Sequence, residues 1–202
     1  MWTESQTQLR ANKMKSTLTL LLLSLLFTSC KKEVDGIDYK VYKISKHYSA
    51  HGIKSVENKL TGSAIFKSSC VYDSKGYDQV NKLVGISIDK ISPHSNSLRI
   101  GWRCLDASDS IELLAYYYIN GERYEDVMCS VKTEQAFNYT LSVSDGYSIY
   151  ITTNGNLYQW SSESSVNSQG KNWMLYPYFG GQMEFPGSIY GDKACEIYLS
   201  VN

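Results

Sequence analysis

Arginine, tyrosine and glutamate residues alternate with apolar residues through the middle of the chain. Successive side chains of a β-strand point to opposite faces, so a turn at residues 106–109 that pairs Leu105 with Ser110 would bring the polar side chains together. The face that they form consists of Arg99, Arg103, Glu112, Leu114, Tyr116, Tyr118, Arg123 and Glu125. Tyrosine rings pack on sugar rings, and arginine and glutamate bond to hydroxyl or uronate groups. The pattern therefore predicts a ligand-binding face for a glycan, formed by Arg99, Arg103, Glu112, Tyr116, Tyr118 and Arg123.

The opposite face of the same strands is apolar. It contains Ile100, Trp102, Leu113 and Ala115, which predicts that this side packs in the core. The polar face also has a simpler interpretation as a solvated sheet surface, because cross-strand tyrosine pairs and arginine–glutamate pairs stabilise sheets without any ligand. The sequence leaves these two interpretations open.

Carboxylates and histidines show no spacing typical of a catalytic centre. Hydrolysis of a glycosidic bond uses two carboxylates about 5–9 Å apart, whereas Asp106, Asp109 and Glu112 are three residues apart and fall on opposite faces of a strand. His47 and His51 would lie about 13 Å apart on a strand, too far to share a metal ion. The sequence has no serine–histidine–aspartate order, phosphate-binding glycine loop or dinucleotide fingerprint. We predict no catalytic residue, no metal site and no cofactor.

The N-terminal part of the chain has the features of an export signal. Lys15 precedes an apolar run over residues 18–27, and two small residues come directly before Cys30. The run of about ten apolar residues is shorter than the roughly 20 that a transmembrane helix needs. The stretch LLFTSC resembles the lipobox of bacterial lipoproteins, in which the cysteine is lipidated and the signal is cleaved before it. The resemblance implies a signal peptide over residues 1–29, for which Met14 is the more natural start; an ordinary secretory signal is the alternative.

Lipidation of Cys30 would anchor the protein to a membrane of the cell envelope. Residues 30–36 then form the lipidated cysteine and a short charged tether, and residues 37–202 form one folded domain. Charged residues directly after the cysteine also resemble surface-export signals of some Gram-negative lipoproteins. We therefore expect an outer-membrane lipoprotein that faces the periplasm or the cell surface.

The charge balance favours neither nucleic acid nor an anionic surface as a partner. The chain has 20 basic and 20 acidic residues, and residues 1–29 contain three of the basic and one of the acidic side chains. Their removal leaves a net charge of about −2, which gives no electrostatic attraction to a polyanion as a whole.

Four cysteines remain besides Cys30, namely Cys70, Cys104, Cys129 and Cys195. In an exported protein they allow two disulfides or four buried thiols, and both remain open. Cys104 and Cys129 should not pair, because an intervening strand separates their backbones by about 9.6 Å, more than the roughly 7 Å that a disulfide spans. Any bridges should therefore join Cys70 and Cys195 to these two.

From Ile37 onward the apolar residues recur with a period of two, and tyrosine is frequent, which predicts an all-β domain. The predicted strands are residues 39–48, 63–72, 82–91, 97–105, 111–119, 122–131, 137–143, 147–153, 156–160, 173–179 and 194–201. Pro177 has no amide proton, so its strand should lie at an edge or end there.

Tight turns predict the pairing of the middle strands. A two-residue loop at residues 120–121 (Asn-Gly) places Tyr117 opposite Tyr124 and Leu113 opposite Met128.

Two further turns predict a meander. A three-residue loop at residues 144–146 with a left-handed glycine places Leu141 opposite Ile149, and the Asn-Gly at residues 154–155 places Ile149 opposite Trp160. The predicted inward side chains are Phe137, Tyr139, Leu141, Val143, Ile149, Ile151 and Trp160.

The order of the stretches LRIGWRCLD, IELLAYYYINGERY, NYTLSV and LYPYFGG before a final alternating strand is similar to small secreted jelly rolls of the concanavalin-like type, and to an uncharacterised family of bacterial lipoproteins. The resemblance covers about residues 82–201 and implies a single antiparallel β-sandwich. We expect a lipid-anchored binding or surface-interaction module with a glycan as its possible partner. The alternative is a glycan-active enzyme of the same type, either a glycoside hydrolase or a polysaccharide lyase.

Overall fold

The computed structural model describes residues 31–47, 53–75, 77, 79–88, 92–105, 108–162, 166, 168, 171–181 and 183–202. This part of the chain forms thirteen strands: β1 (Lys31–Val34), β2 (Ile37–Ile44), β3 (Ser55–Val56), β4 (Lys59–Phe66), β5 (Asn81–Ser87), β6 (Ser97–Cys104), β7 (Ser110–Ile119), β8 (Glu122–Lys132), β9 (Ala136–Ser142), β10 (Tyr147–Thr153), β11 (Asn156–Ser162), β12 (Asn172–Leu175) and β13 (Cys195–Val201). A 3₁₀ turn at Ser68–Cys70 is the only helical element of the described residues. None of these residues belongs to a helix with the length and apolar character needed to cross a membrane.

Two sheets make up the fold. The seven-stranded sheet has the order β1-β2-β13-β4-β9-β10-β11, and the six-stranded sheet has the order β3-β12-β5-β6-β7-β8. The pairs whose register is resolved are all antiparallel. The sheets pack into a β-sandwich, which confirms the predicted fold class.

The core lies between the sheets and is rich in aromatic rings. Trp102 on β6 is fully buried, and its ring centroid lies 4.9 Å from that of Phe66 and 5.9 Å from that of Phe179. The predicted inward residues Ile100, Leu113 and Ala115 are also buried in this core. The alternation along β6 and β7 therefore separates a core face from a polar face, as predicted.

The tight turns have the backbone conformations that their sequences require. At residues 120–121 and 154–155, both Asn and Gly have positive φ values between 50° and 89°, and φ of Gly146 is 88°. Such values are typical of type I′ hairpins and of a bulged three-residue turn, respectively. The predicted pairs Leu141–Ile149 and Ile149–Trp160 are confirmed.

One predicted register is wrong beyond a β-bulge. Tyr117 lies opposite Tyr124 as predicted, but Leu113 lies opposite Cys129 rather than Met128, because the register shifts between Leu113 and Leu114. An extra residue on one strand changes every later pair without changing the turn.

The bounds of some strands were also predicted incorrectly. Residues 31–34, expected to be part of a tether, form the edge strand β1. The strand expected at residues 63–72 begins at Lys59 and ends at Phe66. β12 ends at Leu175, before Pro177, in agreement with the missing amide proton of proline.

The disulfide pattern is only partly as predicted. Cys104 and Cys129 are buried thiols, and no disulfide joins them to each other, as predicted. Cys70 and Cys195, however, are bridged to each other, with their Cα atoms 4.6 Å apart. The 3₁₀ turn at Ser68–Cys70 places Cys70 next to Cys195, the first residue of β13. This contact joins distant parts of the chain, so local sequence patterns could not predict it.

Candidate functional site

A groove of about 720 Å³ lies on the outer, polar face of the six-stranded sheet. Its floor comes from β5, β6 and β7, and its sides come from β8 and from β12 with the following residues 176–181. The polar side chains that line it include Lys82, His94, Arg99, Tyr116, Tyr118, Arg123, Glu125 and Tyr178. We refer to this feature as the groove. Its volume is in the range typical of ligand pockets.

Arg99 lies on the floor of the groove and is only 7% exposed. It is paired with Gly85 on β5, and a Cβ atom at Gly85 would lie 2.5 Å from Cγ of Arg99. Glycine thus leaves the space in which the arginine side chain crosses β5. The Nη2 atom of Arg99 donates to the carbonyl oxygen of Tyr176 at 2.8 Å, which holds the guanidinium beneath the groove.

The charge of Arg99 has no counter-ion among the described residues. Its Nε atom is buried without a hydrogen-bond partner, and none of the described carboxylates lies within ion-pair distance of it. Burial lowers the pKa of Arg99 to about 10, so the guanidinium stays charged at neutral pH. A buried, unpaired cation is expensive for a fold, and such groups cluster at functional sites.

Lys82 is the second buried basic residue of the groove, with 8% exposure. Its Nζ atom donates to the carbonyl oxygens of Val80 at 2.7 Å and of Gly180 at 3.1 Å. The same atom lies 4.6 Å from the ring centroid of Tyr116 and 5.6 Å from that of Tyr178. Burial, followed by the nearby charge of Arg99, lowers the pKa of Lys82 to about 7.

The side of the groove formed by residues 176–181 is tied to β5 at several points. The backbone of Lys82 exchanges two hydrogen bonds with that of Tyr178, at 2.8 and 2.9 Å. The backbone N–H of Gly180 donates a hydrogen bond to Oδ1 of Asn81 at 2.7 Å. Phe179 is fully buried in the core, so its neighbour Tyr178 is directed to the groove.

Two tyrosines of β7 lie next to these basic side chains. The hydroxyl oxygens of Tyr116 and Tyr118 are 3.4 Å apart, and the ring of His94 meets that of Tyr118 edge-on at 5.1 Å. Burial raises the pKa of Tyr116 above its usual range, so its hydroxyl remains protonated at neutral pH.

The outer side of the groove is formed by two exposed charges of β8. Nε of Arg123 lies 3.5 Å from Oε1 of Glu125. Glu125 is the only carboxylate among the described residues that line the groove. The described lining therefore carries three basic side chains, Lys82, Arg99 and Arg123, against one acidic one.

The predicted ligand face divides into two parts. Arg99, Tyr116, Tyr118 and Arg123 line the groove together. Arg103 and Glu112 lie on the same face but outside the groove lining, where Nε of Arg103 donates to Oε2 of Glu112 at 2.6 Å. That part of the prediction corresponds to the simpler interpretation, a stabilising cross-strand pair.

Sequence reasoning missed Lys82, His94 and Tyr178 as residues of the groove. One signal for Lys82 was its position directly before the apolar stretch LVGISI. A lysine in a strand that is otherwise buried is uncommon unless its charge has a partner. Tyr178 gave no such signal, since it reaches the groove only through the path of residues 176–181.

The described residues contain no group of three or more histidine, cysteine, aspartate or glutamate side chains arranged to hold a metal ion. His47 lies outside the groove lining and stacks on Tyr178 at 5.6 Å. His51, considered as its possible partner in a metal site, lies outside the described residues.

No protein family model matches the chain, and no curated protein matches it significantly. Solved structures do. An alginate lyase from Klebsiella pneumoniae matches with a TM-score of 0.53 and 8% identity, over 71% of this chain and 58% of that one. The alginate lyase vAL-1 from Chlorella virus matches with a TM-score of 0.54 and 13% identity, over 86% and 87% of the two chains.

This chain thus spans 58% of the length of the Klebsiella protein. At 8–13% identity the likeness concerns the fold alone. The described domain is a jelly-roll β-sandwich with the architecture of these two alginate lyases.

Proposed function

We propose that the groove binds an acidic polysaccharide and cleaves it by β-elimination. The observation that carries the proposal is Arg99, a buried cation on the groove floor without a described counter-ion. A uronate carboxylate would supply the missing charge, because arginine binds carboxylates through strong, charge-assisted hydrogen bonds. Arg123 adds a second positive charge along the same groove.

The groove residues favour elimination over hydrolysis. Elimination removes the proton from the carbon next to the carboxylate, and an arginine that pairs with the carboxylate stabilises the charge that develops there. Protonatable groups are also available, since Tyr116, Tyr118 and His94 line the groove. Hydrolysis requires two carboxylates, and the described lining has only Glu125, which is paired with Arg123.

The fold supports the proposal in a general way. Two solved proteins that match with TM-scores above 0.5 are alginate lyases, and alginate is an acidic polysaccharide. A glycan-binding module without catalysis is the other candidate function, and the tyrosine-lined groove fits it as well.

A comparison of uronate polysaccharides with their carboxyl-reduced forms tests the proposal. The purified protein should produce the ultraviolet absorbance of a new carbon–carbon double bond from at least one uronate polymer and none from its carboxyl-reduced form, which cannot pair with Arg99. Tight binding without product would support the binding module instead. Equal binding of the two polymers, or new reducing ends without the double bond, would contradict elimination guided by a carboxylate.

We also propose that the domain is attached to the envelope through lipid on Cys30. The support is the resemblance of residues 25–30 to a lipobox. We expect Cys30→Ser to move the protein from the membrane fraction to the soluble fraction, because the apolar segment is too short to span a bilayer. Incorporation of labelled palmitate in a Gram-negative host is the direct measurement. A wild-type protein that never incorporates palmitate would contradict the lipoprotein assignment.

A further inference from the structure

Lys82 has a hydrogen-bond environment that suits a neutral amine. An uncharged lysine amine has two N–H groups and one lone pair, whereas the ammonium has three donors. Val80 and Gly180 provide two carbonyl acceptors at 2.7 and 3.1 Å, and no further hydrogen-bond acceptor of Nζ occurs among the described residues. The two carbonyls therefore match the two N–H groups, and the lone pair is left without a hydrogen bond.

The charges that face Lys82 come from each neighbouring element. Arg99 on β6 and Arg123 on β8 disfavour the ammonium, and Glu125 on β8 favours it. Tyr116 on β7 and Tyr178 after β12 place their rings toward the nitrogen. Burial is the largest effect and acts against the charged form, so the pKa falls to about 7. The amine is thus available as a base near neutral pH, whereas an ordinary lysine is not.

We infer that Lys82 is the catalytic base of the proposed elimination and that the Tyr116–Tyr118 hydroxyl pair is the acid. This inference rests on the proposed function. One groove contains the Lys82 amine, the Tyr116 phenol and Arg99, which is placed to bind a carboxylate. In acid–base catalysis, the environments of the two groups usually keep one protonated, as the acid, and the other unprotonated, as the base.

The proposed step balances within these groups. Arg99 pairs with the uronate carboxylate, and the Lys82 lone pair takes the proton from the adjacent ring carbon. The electrons of that C–H bond form the carbon–carbon double bond, and the glycosidic C–O bond breaks. The leaving oxygen receives a proton from the tyrosine pair. The new ammonium is stabilised by the faces of Tyr116 and Tyr178, and its proton returns to the phenolate to restore both groups.

The wild-type pH profile is the first test. Because the base must be unprotonated, kcat should fall about tenfold per pH unit below about 7 and level off above it. Lys82→Met should lose about 10²- to 10⁴-fold in kcat, and the ionisation near pH 7 should disappear from its residual activity. Lys82→Arg places a permanently charged group there and supplies no base at neutral pH, so it should be equally inactive.

Chemical rescue distinguishes a catalytic role of Lys82 from a structural role in which it only holds Gly180 in place. Small primary amines such as methylamine should restore part of the activity of Lys82→Ala, because they can occupy the vacated space and accept the proton. They should not restore Lys82→Met, whose side chain fills that space. Full activity of Lys82→Arg, absence of rescue, or an unchanged pH profile in Lys82→Met would overturn the assignment.

The pH dependence of the free energy of unfolding tests the protonation state of Lys82 without any ligand. The folded pKa of Lys82 lies near 7 and its unfolded value near 10.5, so between these pH values the unfolded chain binds more protons and stability rises with pH. The free energy of unfolding of the wild type should therefore rise relative to that of Lys82→Met across this window. No relative rise would contradict a neutral Lys82, even in a protein that cleaves uronate polymers. A relative rise without cleavage of any acidic polymer would contradict the proposed function, and with it the catalytic role.

Discussion

Replacing Arg99 by methionine should nearly abolish binding of an acidic polysaccharide without destabilising the protein. Removing one partner of a buried charge pair typically weakens binding by about 2–5 kcal/mol, or roughly 30-fold to several thousand-fold. The free protein should be within about 1 kcal/mol of the wild type or more stable, because the substitution removes a buried and uncompensated charge. Methionine keeps most of the length of the side chain that crosses Gly85.

Arg103→Met is the matched control for this prediction. Arg103 lies four residues further along β6 and on the same face, but it pairs with Glu112 outside the groove lining. Its replacement should leave affinity for the polysaccharide unchanged. Isothermal titration with a uronate oligosaccharide and thermal melting measure both effects. Equal losses of affinity in the two variants would mean that surface charge in general, and not the groove, attracts the ligand.

Removing the bridge between Cys70 and Cys195 should produce the largest loss of stability. The bridge joins residues 125 positions apart, and cross-links that close long loops restrict the unfolded chain most. We expect the double change Cys70→Ala and Cys195→Ala to lower the free energy of unfolding by about 2–5 kcal/mol. Such a loss is a large fraction of the total stability of a single domain.

Cys104→Ala provides the control for a buried cysteine that is not bridged. It should lose the packing of one sulfur atom and the weak hydrogen bond that Sγ donates to the carbonyl oxygen of Ser108 at 3.6 Å, together about 1 kcal/mol. Denaturant unfolding with and without reductant completes the comparison, since reductant should destabilise the wild type and Cys104→Ala but not the double variant. If reductant leaves the free energy of unfolding of the wild type unchanged, the disulfide does not contribute to stability.

Local sequence was sufficient to predict most strands and turns of the middle of the chain. The turn at residues 154–155 needs two positive φ angles, and Asn followed by Gly is the pair that adopts them most easily. The short loop then sets the partners of Ile149 and Ile151, because antiparallel pairing continues residue by residue from the turn. The same reasoning failed at Leu113, where a bulge shifts the register.

The alternation of side chains was also sufficient to predict which residues share a face. Arg99 and Tyr116 are paired across β6 and β7, and Tyr118 and Arg123 across β7 and β8, so strand periodicity brings them together. The sequence did not reveal that Arg103 belongs to a separate ion pair on this face.

Only the tertiary structure decided that this face is a groove. Arg99 and Tyr116 were expected on an accessible surface, but both are buried. Residues 176–181 return from a distant part of the chain to form one side of the groove, where the carbonyl oxygen of Tyr176 accepts a hydrogen bond from Arg99. Asn81 and Lys82 hold that segment through hydrogen bonds to Gly180 and Tyr178. The position of Lys82 in the site follows from the same contact.

The disulfide has a similar explanation. Cys70 follows β4 and Cys195 begins β13, and these strands are neighbours in the seven-stranded sheet although they lie far apart in the sequence. Turn and alternation patterns act over a few residues, and they carry no information on which distant strands become neighbours. Strand pairing within hairpins was therefore predictable from the sequence. The position of residues 176–181, the burial of Lys82 and the Cys70–Cys195 disulfide depend on long-range packing.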